Sequence, residues 1–273
     1  MPKFEEFAAL EYQGWSDNAT AGSYAGCFAK AAAQCVPVFV ATVQARPGVQ
    51  ALDMCCGHGV VARGLVDAGA DVTALDFSPA MLELARRAVP EADIIEGNAM
   101  ELPFEDNSFD SVTIGFGMPH IPEPQRALSE AKRVLRPGGR LAYTVWHGDP
   151  SVSVVGDVFG AIKQHGDPLV ALPPGPDAHI RADPEFSLPE MATEGFLDAK
   201  IQTIASHWVV DDPGAPFDFF YEGTVRGGAV LRAQSEACQA AIRQGVIDKV
   251  LSKFGATGPW TLPVPAAMVS GIA

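Results

Sequence analysis

The chain has 273 residues, 48% of them apolar, and 33 acidic against 19 basic side chains leave a net charge of −14. That length suits one α/β domain with an extra lobe or two small domains, and so negative a surface makes nucleic acid and membranes poor partners. No apolar run approaches a membrane span, MPKFEEF lacks the apolar core of a signal peptide, and five cysteines, an odd number, read as reduced thiols. A soluble protein with a cytoplasmic address is expected. Residues 1–48 show no strand alternation, and residues 25–45, rich in alanine and aliphatics, predict a helix despite Pro37. Trp15 and Tyr24 are the conspicuous aromatics of this region, and packing onto a core would account for both.

The run VQALDMCCGHG at residues 49–59 organises the rest of the chain. Val49, Ala51, Leu52 and Met54 suit a buried parallel strand, and Gly57 and Gly59 a tight turn into a helix over residues 60–68. A strand, a glycine turn and a helix form the place where α/β proteins bind nucleotides, because the helix begins with free N–H groups. Gly57, Gly59 and Ala62 also satisfy G-x-G-x-x-A, a weak pattern by itself. A second strand, residues 71–75, ends in Asp76, placed to accept hydrogen bonds from two ribose hydroxyls of either an NAD or an adenosyl ligand. Asp53, inside the first strand and facing the turn, favours the adenosyl ligand, since an acid there could hold an ammonium group.

Ser78 and Pro79 suit the N-cap and first position of the next helix. Residues 92–96 make a third strand with residues 97–100 as its exit, and residues 111–116 a fourth, apolar on both faces and thus central. Its exit reaches His120, the best-placed titratable side chain, at the sheet edge where such proteins bind ligands. Residues 125–135 form an amphipathic helix and residues 136–139 a turn into a fifth strand, residues 140–145, followed by Trp146 and His147. Beyond these, residues 151–165 predict a helix and residues 167–189 a proline-rich connection. SLPEMATEGF then reads as a capped helix, residues 199–210 as a strand, and residues 216–223 as an aromatic cluster that includes Phe219. Residues 234–254 are helical, and PWTLPVPAAMVSGI is extended.

LDMCCGHG, ALDFSPAMLELA, GNAMELPFEDNSFDSVTIGFGMPH and RVLRPGG, in this order across residues 49–146, resemble class I S-adenosylmethionine-dependent methyltransferases, most closely the type 11 branch with the ubiquinone and menaquinone C-methyltransferases. One departure is Cys55, which stands where the family's G-x-G-x-G has its first glycine. The resemblance implies an α/β, Rossmann-like seven-stranded sheet in the order 3-2-1-4-5-7-6, its last strand antiparallel, with helices on both faces. It further implies an N-terminal helical cap (residues 1–48), a cofactor-binding core (49–148) and remaining core strands with inserted lid helices (149–273), all in one structural domain.

By the same resemblance the cofactor is S-adenosyl-L-methionine and the product S-adenosyl-L-homocysteine. Gly57 and Gly59 approach it, Asp53 and Asp76 grip its amino-acid and sugar parts, and Phe77 and Met81 sandwich the adenine. Asn98 replaces the family's usual Asp as acceptor for the adenine amino group, with Ala99 and Met100 beside it. Gly115 and Phe116 border the sulfonium, and Tyr24 closes over the methionine end. Trp15, Met118, His120, Trp146, His147 and Phe219 are expected around a small aromatic or apolar acceptor, with His120 as candidate catalytic base for O-, N- or C-methylation. Adjacent Cys55 and Cys56 with His58 lack metal-site spacing, so no metal is expected. The expected partner is a small molecule, the chain being a monomer or homodimer. Two rival classes remain. A non-transferring binder, either a cyclase or a sensor, would keep every motif, whereas an NAD-dependent oxidoreductase would leave Asp53 and Asn98 unexplained.

Overall fold

The structure, a computed structural model, describes residues 4–149 and 151–273; Met1–Lys3, the start of the MPKFEEF segment, and Pro150 lie outside the described residues. Nine strands follow in chain order among the described residues: Gln50–Met54 (β1), Asp71–Asp76 (β2), Asp93–Glu96 (β3), Phe109–Gly115 (β4), Leu135–Trp146 (β5), Leu197–Ile204 (β6), His207–Val210 (β7), Trp260–Pro263 (β8) and Ala266–Ile272 (β9). Seven of them make one sheet in the order β3-β2-β1-β4-β5-β9-β6, while β7 and β8 pair in a separate ribbon. β1 to β5 run parallel, and β9 lies antiparallel to both β5 and β6. This is the expected order, with β9 in the place of the seventh strand.

The helices are Glu5–Trp15 (α1), Asn18–Gly26 (α2), Phe28–Ala32 (α3), Val36–Val43 (α4), Val60–Asp67 (α5), Pro79–Ala88 (α6), Pro124–Val134 (α7), Val154–His165 (α8), Pro184–Thr193 (α9), Ala215–Gly223 (α10), Val225–Arg232 (α11) and Glu236–Phe254 (α12). Successive residues of a strand point to opposite faces, so a strand buried on both needs a layer of helices on each side. Ala51, Ala74 and Ala142 meet Phe39, Leu65 and Leu82 of α4, α5 and α6. Leu52, Ile114 and Tyr143 meet Leu128 of α7 and Met191 of α9 on the other side. A further apolar cluster joins Phe28, Trp208, Phe220, Ile242 and Leu262, tying α3, α10 and α12 to the β7–β8 ribbon. No single helix among the described residues is long and apolar enough to cross a membrane.

Several elements differ from expectation. The single helix over residues 25–45 is broken into α2, α3, a 3₁₀ turn at Ala33–Cys35 and α4, with Pro37 in the first turn of α4, where its missing N–H costs nothing. The turn at residues 136–139 lies within β5, because Leu135 already pairs with Phe109 before the register shifts. α9 begins at Pro184 under an Asp183 cap, which leaves Ser187 buried inside the helix and Pro189 out of the connection. The strand over residues 199–210 divides at Ser206, whose carbonyl and hydroxyl both bond Val264 and turn β7 toward β8. The aromatic run is helix α10; α1 lies within the expected helical cap and α11 within the segment expected to carry inserted helices, though neither had a range of its own in the expectation.

Candidate functional site

The chain leaves β1 through three left-handed residues, Cys55 (φ 58°), Gly57 (φ 53°) and Gly59 (φ 88°). At Gly57 an added Cβ would meet only the Met81 sulfur, at 4.0 Å, so the backbone angle is what calls for glycine there. Gly59 is different: a Cβ would lie 2.9 Å from Val89 and 3.4 Å from the Ala85 Cα. It seats α5 against α6.

A cleft with two lobes runs along the carboxyl edge of the sheet, and Gly59 does not border it. The smaller lobe, about 60 Å³, is bordered by Gly57, Met81, Gly115 and Phe116 below and by Trp15 and Tyr24 above. The larger, about 320 Å³, runs past Gly97, Asn98, Ala99 and Met100 under Glu11 and Tyr12. Cys55, Asp76, Phe77, His120 and Ile121 border both. Tyr24, Gly57, Asp76, Phe77, Met81, Asn98, Ala99, Met100, Gly115, Phe116, Trp15 and His120 are thus brought together as residue positions around one cleft.

Asp76 sits where the lobes join. Its Oδ2 accepts from Gly57 N–H (2.8 Å) and its Oδ1 from Ser78 N–H (2.9 Å), and each oxygen retains acceptor capacity. Burial pushes its carboxyl upward, opposed by those N–H groups. Asn98 uses its amide oxygen on the Met100 N–H (2.9 Å). Tyr24 stacks on Phe28 and meets the edge of Trp15, and burial pushes its phenol upward. Burial likewise holds the Cys55 thiol well above its ordinary range, against any nucleophilic role.

Six expected residues lie elsewhere. Asp53 is fully buried behind the turn: Oδ2 accepts from Ala62 N–H (2.9 Å) and Oδ1 from the Thr113 hydroxyl (2.8 Å), so it fastens the start of α5 to β4 and does not reach the cleft. Its surroundings push its carboxyl up to about 7, chiefly by desolvation. Gly59 packs against Val89. Met118 is wholly buried between β4 and α7, because the 3₁₀ turn Met118–His120 points it inward as it turns His120 outward. Trp146 stacks flat behind Phe116, ring centroids 3.8 Å apart, and supports the cleft wall without bordering it. His147, whose N–H donates to the Pro265 carbonyl, borders a separate groove with Thr203 and Ser206. Phe219 meets Trp208 edge-on within the α10 cluster.

Sequence reasoning passed over Glu11, which is 1% exposed and bonds both Trp15 Nε1 and His120 Nδ1. The one available signal was the i, i+4 spacing of Glu11 and Trp15 on a helix.

Residues 52–143 match the family described as a methyltransferase domain. Over 102 residues the chain is 50% identical to the demethylmenaquinone methyltransferase of Renibacterium salmoninarum, covering 37% of this chain and 43% of that protein. The chain spans about half the length of the curated relatives it matches. Among solved structures, phosphoethanolamine N-methyltransferase 2 of Haemonchus contortus, in complex with phosphomonomethylethanolamine and S-adenosylhomocysteine, superposes with a TM-score of 0.59 at 17% identity, covering 97% of this chain and 60% of that one. The 4+2 cyclase SpnF gives 0.54 at 19% identity, covering 88% and 80%. These two likenesses speak for the fold alone. Strand order, four ordered motifs and the family match agree, and residues 52–143 are a methyltransferase domain of the class I S-adenosylmethionine-dependent family.

Proposed function

We propose that the chain transfers a methyl group from S-adenosylmethionine to a small aromatic or apolar acceptor. The observation that carries this reading is Asp76 at the junction of the two lobes, with acceptor capacity left over on a carboxylate that two backbone N–H groups hold still. In this reading Asp76 takes the ribose hydroxyls. Phe77, Asn98, Ala99 and Met100 surround the adenine in the larger lobe, and Gly57, Met81, Gly115 and Phe116 border the sulfonium end. The amide oxygen of Asn98 is shared between Met100 N–H and the base.

When bound, the cofactor supplies an electrophilic methyl on a sulfonium that is already a charged leaving group. The protein's chief task is alignment, worth up to about 7–11 kcal/mol of the barrier. The rings of Trp15, Tyr24 and Phe116 offer the positive sulfur π faces. At about 60 Å³ against about 320 Å³, the smaller lobe is the tighter of the two. The relatives named demethylmenaquinone methyltransferase make a reduced quinone a candidate acceptor, and the apolar roof suits one. Calorimetry with S-adenosylmethionine and S-adenosylhomocysteine, followed by mass spectrometry of candidate acceptors for one added methylene, tests the proposal. Heat without a methylated product would point to a non-transferring binder, and heat with NADH alone would overturn the cofactor.

A further inference from the structure

Glu11 is sealed from solvent while its partner is not: its side chain is 2% exposed and that of His120 is 31% exposed. The carboxylate reaches His120 from α1, an element far away in sequence. Its Oε2 bonds Nδ1 of the imidazole at 2.9 Å and accepts from the Trp15 indole N–H at 3.0 Å. With Glu11 ionised and the imidazole neutral, the shared proton sits on Nδ1 and Nε2 carries the ring's free lone pair. Among the described residues no hydrogen bond reaches Nε2, and His120 borders both lobes of the cleft. Trp15 lies edge-on to the ring at 5.0 Å, which restricts its rotation. Asp76 faces His120 from β2, and Arg226 faces Glu11 from α11.

A neutral amine attacks a sulfonium methyl with a lone pair it already has. A hydroxyl must first lose a proton, and an imidazole backed by a buried carboxylate is the device for that step. We propose that Glu11 and His120 form a carboxylate–imidazole pair in which His120 Nε2 takes the proton of a weakly acidic hydroxyl on an aromatic acceptor, Glu11 being the positioning residue. This rests on the methyl-transfer reading.

The O–H bond breaks toward Nε2. The electron pair left on oxygen forms the new bond to the methyl carbon, and the methyl–sulfur pair returns to sulfur as a neutral thioether. The imidazolium then lies beside the Glu11 carboxylate until solvent takes its proton. If the adjacent ring carbon attacks instead, the proton loss is the same, and the proton on that carbon afterwards moves to the oxygen to restore the ring.

The test compares the whole chain with Glu11→Gln and His120→Gln on two acceptors, a naphthol that is neutral at a mildly alkaline assay pH and a nitrophenol that is already ionised there. S-adenosylhomocysteine affinity is measured by calorimetry and the His120 tautomer by nitrogen NMR. Both variants are expected to lower kcat on the naphthol by roughly 10²-fold, with KM and cofactor affinity unchanged and a far smaller loss on the nitrophenol. The unsubstituted chain should show the Nδ1–H tautomer. Equal losses on both acceptors, a change in KM alone, or an Nε2–H tautomer in the unsubstituted chain would each overturn the pair. Cofactor binding without methylation of either hydroxyarene also overturns it but leaves the methyl-transfer reading standing. Failure to bind S-adenosylhomocysteine removes that reading itself.

Discussion

The wall and the roof of the cleft are built by different physics. The wall consists of the ends of β1, β2 and β4, and its geometry is set by backbone donors held on side-chain carboxylates: Gly57 and Ser78 on Asp76, Ala62 on Asp53. The roof consists of side chains from α1 and α2: Trp15 and Tyr24 meet edge to face, Tyr24 stacks on Phe28 of α3, and Trp15 meets the ring of His120 across the cleft. On the proposed reading, the groups assigned to the cofactor sit on the backbone-determined part, and those assigned to the acceptor sit on helices whose mutual contacts are aromatic.

Breaking the wall should have the largest effect. On the proposed reading Asp76→Ala removes acceptors for two ribose hydroxyls, and at about 1.5–3 kcal/mol for each hydrogen bond to a charged group the expected loss is at least about 10²-fold in S-adenosylhomocysteine affinity by calorimetry. Gly57→Val, a β-branched residue forced to φ 53°, should abolish binding by distorting the turn. In the roof, Trp15→Phe keeps the ring but takes the indole donor from Glu11. Thermal unfolding should show a cost of about 1–3 kcal/mol, with cofactor affinity much less changed than by the wall variants.

A finer comparison sets the two acids against each other. With Asp53 pushed up to about 7 in the folded chain, the unfolded chain binds fewer protons between about pH 4 and about pH 7, so this group makes stability fall as pH rises through that window. Asp53→Asn, which can still accept from Ala62, should flatten that slope in denaturant titrations across the window while the chain goes on binding S-adenosylhomocysteine. The smallest effect is expected at His147. Because it borders a different groove, His147→Ala should leave cofactor affinity unchanged and stability within about 0.5 kcal/mol.

The wall was legible because a strand, a glycine turn and a helix force one backbone path and Asp76 ends the next strand, while Phe77 and Asn98 came with the ordered motifs of the resemblance. Asp53 was misplaced for a physical reason. Sequence sets its position on β1, but the Ala62 N–H and the Thr113 hydroxyl that occupy its oxygens belong to other elements. Met118 and His120 share one short exit, and only the 3₁₀ turn decides which of them faces the cleft. His147 was drawn away by the segment that leads into β9, since its N–H bonds the Pro265 carbonyl just before that strand begins. In the roof, Glu11 is one of three acids on α1 with no motif around it, and its burial depends entirely on what lies across from it. The start of α9 was missed because Asp183 and Ser187 are both competent caps, and the structure uses the earlier one.

The placement of β9 also bears on how the chain is made. β6 touches the main sheet through β9 alone, and β9 is synthesised long after β6. As the polypeptide leaves the ribosome, β1 to β5 can pair in parallel, but β5 then presents a bare edge and β6 has no neighbour. Residues 266–272 give β5 and β6 their shared neighbour at once, so this side of the sheet can close only late in synthesis, and until then both edges are open to pairing with other chains.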